Sequence, residues 1–191
     1  MNYLAHIYLS GKNDEIKLGN FIADAVKGTH YMNYSKDIQT GILLHRKIDT
    51  FTDQHPIPKQ SRDRIRHIYG KHSGIVIDIF YDHFLAANWQ KYSDENYSKF
   101  IKDFYWNLFV NYPILPSRIK YAFPFMVLNN WLNQYKTIVG TENILTRMSI
   151  RTSLPDFTKL AIEELNKNYK FYERDFFEFF EELRKFVREN N

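Results

Sequence analysis

Two short stretches of this chain set histidines and carboxylates at helical spacing. The first runs His45-Arg46-Lys47-Ile48-Asp49-Thr50-Phe51-Thr52-Asp53-Gln54-His55, the second Asp78-Ile79-Phe80-Tyr81-Asp82-His83. Residues four apart on a helix share a face, so His45 stands with Asp49, Asp49 with Asp53, and Asp78 with Asp82. Imidazole and carboxylate are donors for hard and borderline divalent cations. Asp78 and Asp82 lie in the most apolar stretch of the chain, where two carboxylates are costly unless they share a cation or an arginine. His83 points about 100° away from Asp82 around a helix, which suits it to a second ion, a substrate or a supporting role. Asp24 is the third element, set in Leu18-Gly19-Asn20-Phe21-Ile22-Ala23-Asp24. His6, in Leu4-Ala5-His6-Ile7-Tyr8-Leu9, reads first as a hydrogen-bonded core histidine, and His30, His67 and His72 as surface residues.

A basic run lies between the two stretches. From Pro56 to His72, Lys59, Arg62, Arg64, Arg66 and Lys71 face only Asp63, an excess equal to the net charge of +4 of the whole chain. Such a run is either a solvated helix face or a docking patch for an acidic partner, because rim charges steer encounter. Guanidinium and ammonium groups also hold anionic substrates. A chain that interleaves metal donors with these groups is a candidate metal-dependent enzyme acting on phosphate.

Other chemistries are excluded or unsupported. There is no cysteine, which removes disulfides, thiolate nucleophiles and Cys-ligated zinc. There is no glycine-rich phosphate loop, no G-x-S-x-G elbow and no H-E-x-x-H. The first ten residues lack the basic start and apolar stretch of a secretory signal, and no run nears about 18 apolar residues. The cytoplasm is the expected location.

The elements that must position these residues read as helices nearly throughout. With 44% apolar residues the 191-residue chain can bury a sizeable core, and with 7 Gly and 6 Pro it has few tight turns. We expect one all-α domain over residues 1–191, a compact multi-helix bundle. Helices are expected over 16–26, 35–51, 56–70 and 75–89, the last of these central and buried. Further helices follow from Ser93 as N-cap to Val110, from Ser117 to Tyr135 with a kink at Pro124, from Thr141 to Arg151, and from Pro155 to about Arg188. The 16 Phe and 14 Tyr must fill that core or line a groove.

Four blocks of the chain resemble the acyl carrier protein phosphodiesterase family. They are Met1-Asn2-Tyr3-Leu4-Ala5-His6; residues 18–24 with Lys27-Gly28; residues 41–56, from Gly41-Ile42-Leu43-Leu44-His45 to His55-Pro56; and residues 74–86, Gly74 to Ala86, with Trp89. The resemblance implies an all-helical fold, divergently related to the HD phosphohydrolases. It implies removal of 4′-phosphopantetheine from the serine of holo-acyl carrier protein, with manganese or another divalent ion (Mg2+, Fe2+ or Co2+). It also implies that Asp24, His45, Asp49, Asp78, Asp82 and His83 supply metal ligands and acid–base groups. Asp24, His55 and His83 are then the catalytic candidates, and Asp24, His45, Asp49, Asp78 and Asp82 the metal candidates. Asp53 and His6 match the blocks with their roles open. The adjacent His-Asp doublet of HD enzymes is absent here and appears only reversed, as Asp82-His83. Acyl carrier proteins are acidic, so Arg46, Arg62, Arg64 and Arg66 are the expected partner contacts, with neither nucleic acid nor membrane as partner. The competing readings are an HD-type phosphohydrolase of a nucleotide or small phosphodiester, and a helical nucleic-acid-binding module. Turnover of free nucleotides would favour the first, and metal-free binding with a steep salt slope the second.

Overall fold

Helical periodicity becomes eleven α-helices joined by short loops and 3₁₀ turns, with no strand among the described residues. The structure is a computed structural model and describes residues 2–190; Met1, which opens the first matching block, and Asn191 lie outside the described residues. In order the helices are α1 (Tyr3–Leu9), α2 (Asp14–Ile22), α3 (Lys36–Gln54), α4 (Pro56–Tyr69), α5 (Ser73–Ala87), α6 (Tyr97–Val110), α7 (Ser117–Leu128), α8 (Trp131–Gln134), α9 (Ile138–Arg151), α10 (Thr158–Lys167) and α11 (Tyr169–Glu189). Their starts are set by polar side chains that accept otherwise unpaired N–H groups. Asn13 caps α2, Ser35 caps α3, Asn96 caps α6 and Thr137 caps α9.

The core forms around α5, which packs on α1, α4, α9 and α11. Val76, Ile77, Ile79, Phe80, Tyr81, Phe84 and Leu85 of α5 are all buried. The alternating Phe and Glu residues of α11 sort by helical period: Phe176, Phe179 and Phe180 are buried, and Glu178, Glu181 and Glu182 lie outward. Phe176 stacks on Phe180 at 5.0 Å and meets Tyr81 edge-on at 5.7 Å between centroids. Much of the aromatic content is thus core, each ring adding about 1.5–3 kcal/mol by burial. Among the described residues no helix is long and apolar enough to cross a membrane.

The α2–α3 pair carries most of the functional geometry. Two glycines let these helices approach backbone to backbone. A Cβ on Gly19 would lie 2.1 Å from the Ile38 carbonyl oxygen, and one on Gly41 would lie 2.2 Å from that of Ile16. No side chain other than hydrogen fits either position.

Several boundaries differ from the sequence expectation, each for a local reason. α1 is a separate two-turn helix. Asn96 rather than Ser93 caps α6, since Ser93 instead accepts from the Glu95 N–H within the preceding turn. The expected 117–135 helix breaks after Leu128, where Asn130 takes a left-handed conformation (φ 44°), while Pro124 sits inside α7 without ending it. α9 starts at Ile138 because Thr137 caps it; Thr141 is inside and bonds back to Thr137 O. The final helix is two, divided at Asn168.

Candidate metal centre

His6 of α1 and His45 of α3 lie face to face, their rings stacked at 4.0 Å with 18° between planes. Both are buried. Asn20 of α2 decides how each ring is turned. Its Nδ2 donates to His6 O (3.0 Å) and to Ser10 Oγ (2.9 Å), which fixes its amide orientation because a carbonyl can only accept. Its Oδ1 therefore faces the imidazoles, 2.8 Å from His6 Nδ1 and 3.2 Å from His45 Nδ1. The backbone oxygen of Asn20 also accepts from His45 Nδ1, at 2.8 Å. Both Nδ1 atoms thus carry hydrogen, and both Nε2 atoms turn to the opposite side.

That side holds two carboxylates. Asp49, one turn beyond His45 on α3, lies 3.0 Å from His45 Nε2 through Oδ2 and 3.2 Å from His6 Nε2 through Oδ1. Asp24 Oδ1 is 3.2 Å from His45 Nε2. Asp24 stands not in α2 but in the 3₁₀ turn Ala23–Ala25 that follows it, where its side chain is mostly exposed. Arg46 holds the loop beyond that turn, donating through Nη2 to Gly28 O at 2.9 Å and Val26 O at 3.3 Å, with its guanidinium over the Tyr31 ring. The donor atoms of His6, His45 and Asp49 all lie within 4.8 Å of one another, close enough to hold one ion.

The electrostatics follow from the packing. Burial, then the charge of His45, push His6 down to about 4. Burial also opposes charge on His45, but hydrogen bonds to Asp24 and Asp49, and their charges, push it up to about 9. Burial works against Asp49 as well, and hydrogen bonds from His45 and His6 overcome it and hold the carboxyl well below its usual range. Asp24 is lowered chiefly by its hydrogen bond with His45. Without an ion the site therefore holds one imidazolium between two carboxylates, and His6 Nε2 is buried with no aligned hydrogen-bond partner. A divalent cation in place of the His45 proton satisfies all four groups, so the residues present fit such an ion.

The other expected site residues are not among these clustered donors. Asp82 accepts the first free N–H groups of α1, Leu4 N at 2.7 Å and Ala5 N at 3.1 Å, while burial pushes it up to about 7. Asp78, one turn earlier on α5, is half-buried; burial, and to a smaller degree the charge of nearby Asp49, raise its carboxyl. His83 is bound at Nδ1 to Tyr135 O (2.8 Å) and at Nε2 to Tyr169 Oη (3.1 Å). His55 caps α4, accepting from Ile57 N, and meets Glu182 at 3.1 Å. Asp53 pairs with Arg62 at 3.0 Å. Arg64 binds the buried Asp175, and Arg66 lies 3.5 Å from Asp63. The structure thus gathers Asp24, His45 and Asp49 and adds His6 and Asn20. No local signal marks Asn20, and the apolar setting of His6 reads equally as core.

An all-helical protein whose first three helices converge two imidazoles and two carboxylates defines the class: a helical protein with a metal-competent histidine–aspartate centre. The profile of the family described as "Acyl carrier protein phosphodiesterase" matches residues 1–183, and the chain belongs to that family of hydrolases. It is 31% identical over 183 residues to the acyl carrier protein phosphodiesterase of Yersinia enterocolitica, covering 94% of each chain. The enzyme of that name from Photorhabdus laumondii is 30% identical over 182 residues (94% of this chain, 91% of the relative). That from Pectobacterium atrosepticum is 29% identical over 189 residues, or 98% of both. No solved structure matches the chain.

Proposed function

We propose that the chain is a metal-dependent phosphodiesterase that hydrolyses holo-acyl carrier protein to apo-acyl carrier protein and 4′-phosphopantetheine. The family and its named relatives support the substrate. One observation carries the metal: both histidines are held with Nδ1–H on Asn20, so that both Nε2 atoms point at Asp49. His6 and His45 would hold the ion through Nε2, and Asp49 and Asp24 through oxygen. This mixed nitrogen and oxygen set suits manganese, with Mg2+, Fe2+ or Co2+ as substitutes. When bound, such an ion lowers the pKa of a water and offsets charge on a phosphodiester. Asp24, the most exposed of the four, would take the proton of the attacking water on its other carboxylate oxygen. Asp82 is assigned to positioning α1, and His55 and His83 to tying helices together. The reaction belongs to carrier-protein turnover in fatty acid synthesis, and we place the enzyme in the cytoplasm.

The test is a mass-shift assay on holo-acyl carrier protein. Chelation should abolish turnover and manganese should restore it. Asp24→Asn should stay folded and lose turnover about 100-fold, the scale of removing one preorganised electrostatic group. Full activity in a thoroughly metal-depleted sample would sink the proposal.

A further inference from the structure

We infer that the exposed face made by α7 and the end of α9 is where an acidic protein substrate docks beside the metal centre. The partner is the carrier protein itself, so the inference rests on the function proposed above. Along α7, Arg118, Tyr121, Phe125 and Leu128 fall three, four and three residues apart and share one face. Tyr121 is 76% and Leu128 82% exposed. From α9, Ile150 is 77% exposed, and the Arg151 guanidinium lies 5.0 Å from the Phe125 ring centroid. Between the helices Phe125, Trp131, Arg147, Ile150 and Arg151 line a cleft of about 200 Å³. The Trp131 indole N–H is buried there without a hydrogen-bond partner. Single exposed apolar side chains need no explanation, but a contiguous apolar stripe with a charged rim has the anatomy of an interface.

Charge identifies the partner. Residues 117–151 carry Arg118, Lys120, Lys136, Arg147 and Arg151 against Glu142 alone. Among the described residues, no carboxylate lies within ion-pair distance of Arg118, Arg147 or Arg151. On α4, by contrast, Arg62, Arg64 and Arg66 each have a carboxylate of their own. Arginines without a carboxylate of their own thus gather on α7 and α9 beside the apolar stripe, whereas those of α4 are paired. A second copy is a poor occupant, because a two-fold contact would set these arginines against themselves. The face also adjoins the centre: Trp131 meets the Tyr3 ring edge-on at 6.0 Å, and the charges of Asp24 and Arg118 both reach the Tyr3 hydroxyl.

Two double variants test this, Arg147→Glu/Arg151→Glu and Tyr121→Ser/Leu128→Ser, alongside Lys59→Glu/Arg66→Glu on α4. Each is checked for folding by its melting curve and assayed with manganese at low salt. Both α7–α9 variants should raise KM for holo-acyl carrier protein about tenfold with kcat held, and the charge reversal should flatten the salt dependence. An unmoved KM in folded variants overturns the inference, as does a rise confined to the α4 variant. So does a wild-type dimer that Tyr121→Ser/Leu128→Ser dissociates. Binding to phosphatidylglycerol vesicles that these variants lose while KM stays put would assign the face to lipid instead. A wild type that cleaves a p-nitrophenyl phosphodiester but never the carrier protein overturns the proposed function, and the docking partner with it.

Discussion

Asn20 shows how one neutral side chain can prepare a charged centre. Its single amide oxygen reaches both imidazoles. Removing it in Asn20→Ala frees the His6 ring to exchange tautomers, while His45 Nδ1 keeps the backbone oxygen of residue 20, and ion affinity should fall about 10–100-fold, the usual effect of losing a partner behind a histidine ligand. Nitrogen chemical shifts of the metal-free protein provide a second readout: His6 should hold the Nδ1–H form in the wild type and become mixed in the variant. The titration of His45 gives a prediction of definite sign. Its value of about 9 lies above the about 6.5 of an unfolded chain, so its stabilisation is fully present below pH 6.5 and lost as pH rises through about 9. An ion must displace that proton. Its affinity should rise about tenfold per pH unit across neutrality and level off near pH 9. Calorimetry at pH 7 in buffers of different ionisation enthalpy should count one proton released per ion; none released would contradict the assignment. The His45–Asp49 pairing was legible in the sequence because it needs only helical periodicity. His6 and Asn20 were not, because their contacts join α1, α2 and α3, and no spacing rule spans those loops.

Helices here owe their placement to a few specific contacts. α1 is only seven residues long and would not persist alone in water. Asp82 holds it by two otherwise orphaned N–H groups, which puts His6 within reach of His45. That role and a ligand role differ in sign. If Asp82 clamps α1, Asp82→Ala should destabilise the metal-free protein by about 1–3 kcal/mol. If it were instead a ligand in a crowded acidic site, its removal should stabilise the metal-free form. Thermal unfolding after chelation distinguishes the two. Most long helices could be read from periodicity, but their ends could not. Ser93 and Asn96 are both good caps, and only the packing of Tyr97 and Phe100 against Trp89 selects the second. α1 escaped notice because two turns are too few for a periodic signal.

Across the whole molecule, the sequence carried a clear message about class and left the basic segment open between a solvated face and a docking patch. Five cations in seventeen residues look like a patch, but sequence does not show which of them have partners. Arg64 reaches across to α11 and binds Asp175, which is 2% exposed and also accepts from Ser61 Oγ at 2.9 Å. Taking away the arginine leaves Asp175 only Ser61 and Arg174, whose Nη2 is 3.4 Å away, so Arg64→Ala should cost about 1–3 kcal/mol of stability. The melting temperature should drop at any carrier-protein concentration. A raised KM with unchanged melting would return Arg64 to the docking surface.

The clamp on α1 also bears on biosynthesis. Translation delivers His6, Asp24, His45 and Asp49 within the first 49 residues of the chain, but Asp82 emerges some thirty residues later. A nascent chain paused between those points carries every donor of the centre and holds α1 through Asn20 and α2 alone, without the carboxylate that takes the helix's first N–H groups. An ion bound at this centre would therefore be held in full only once α5 has been made and Asp82 has closed on α1.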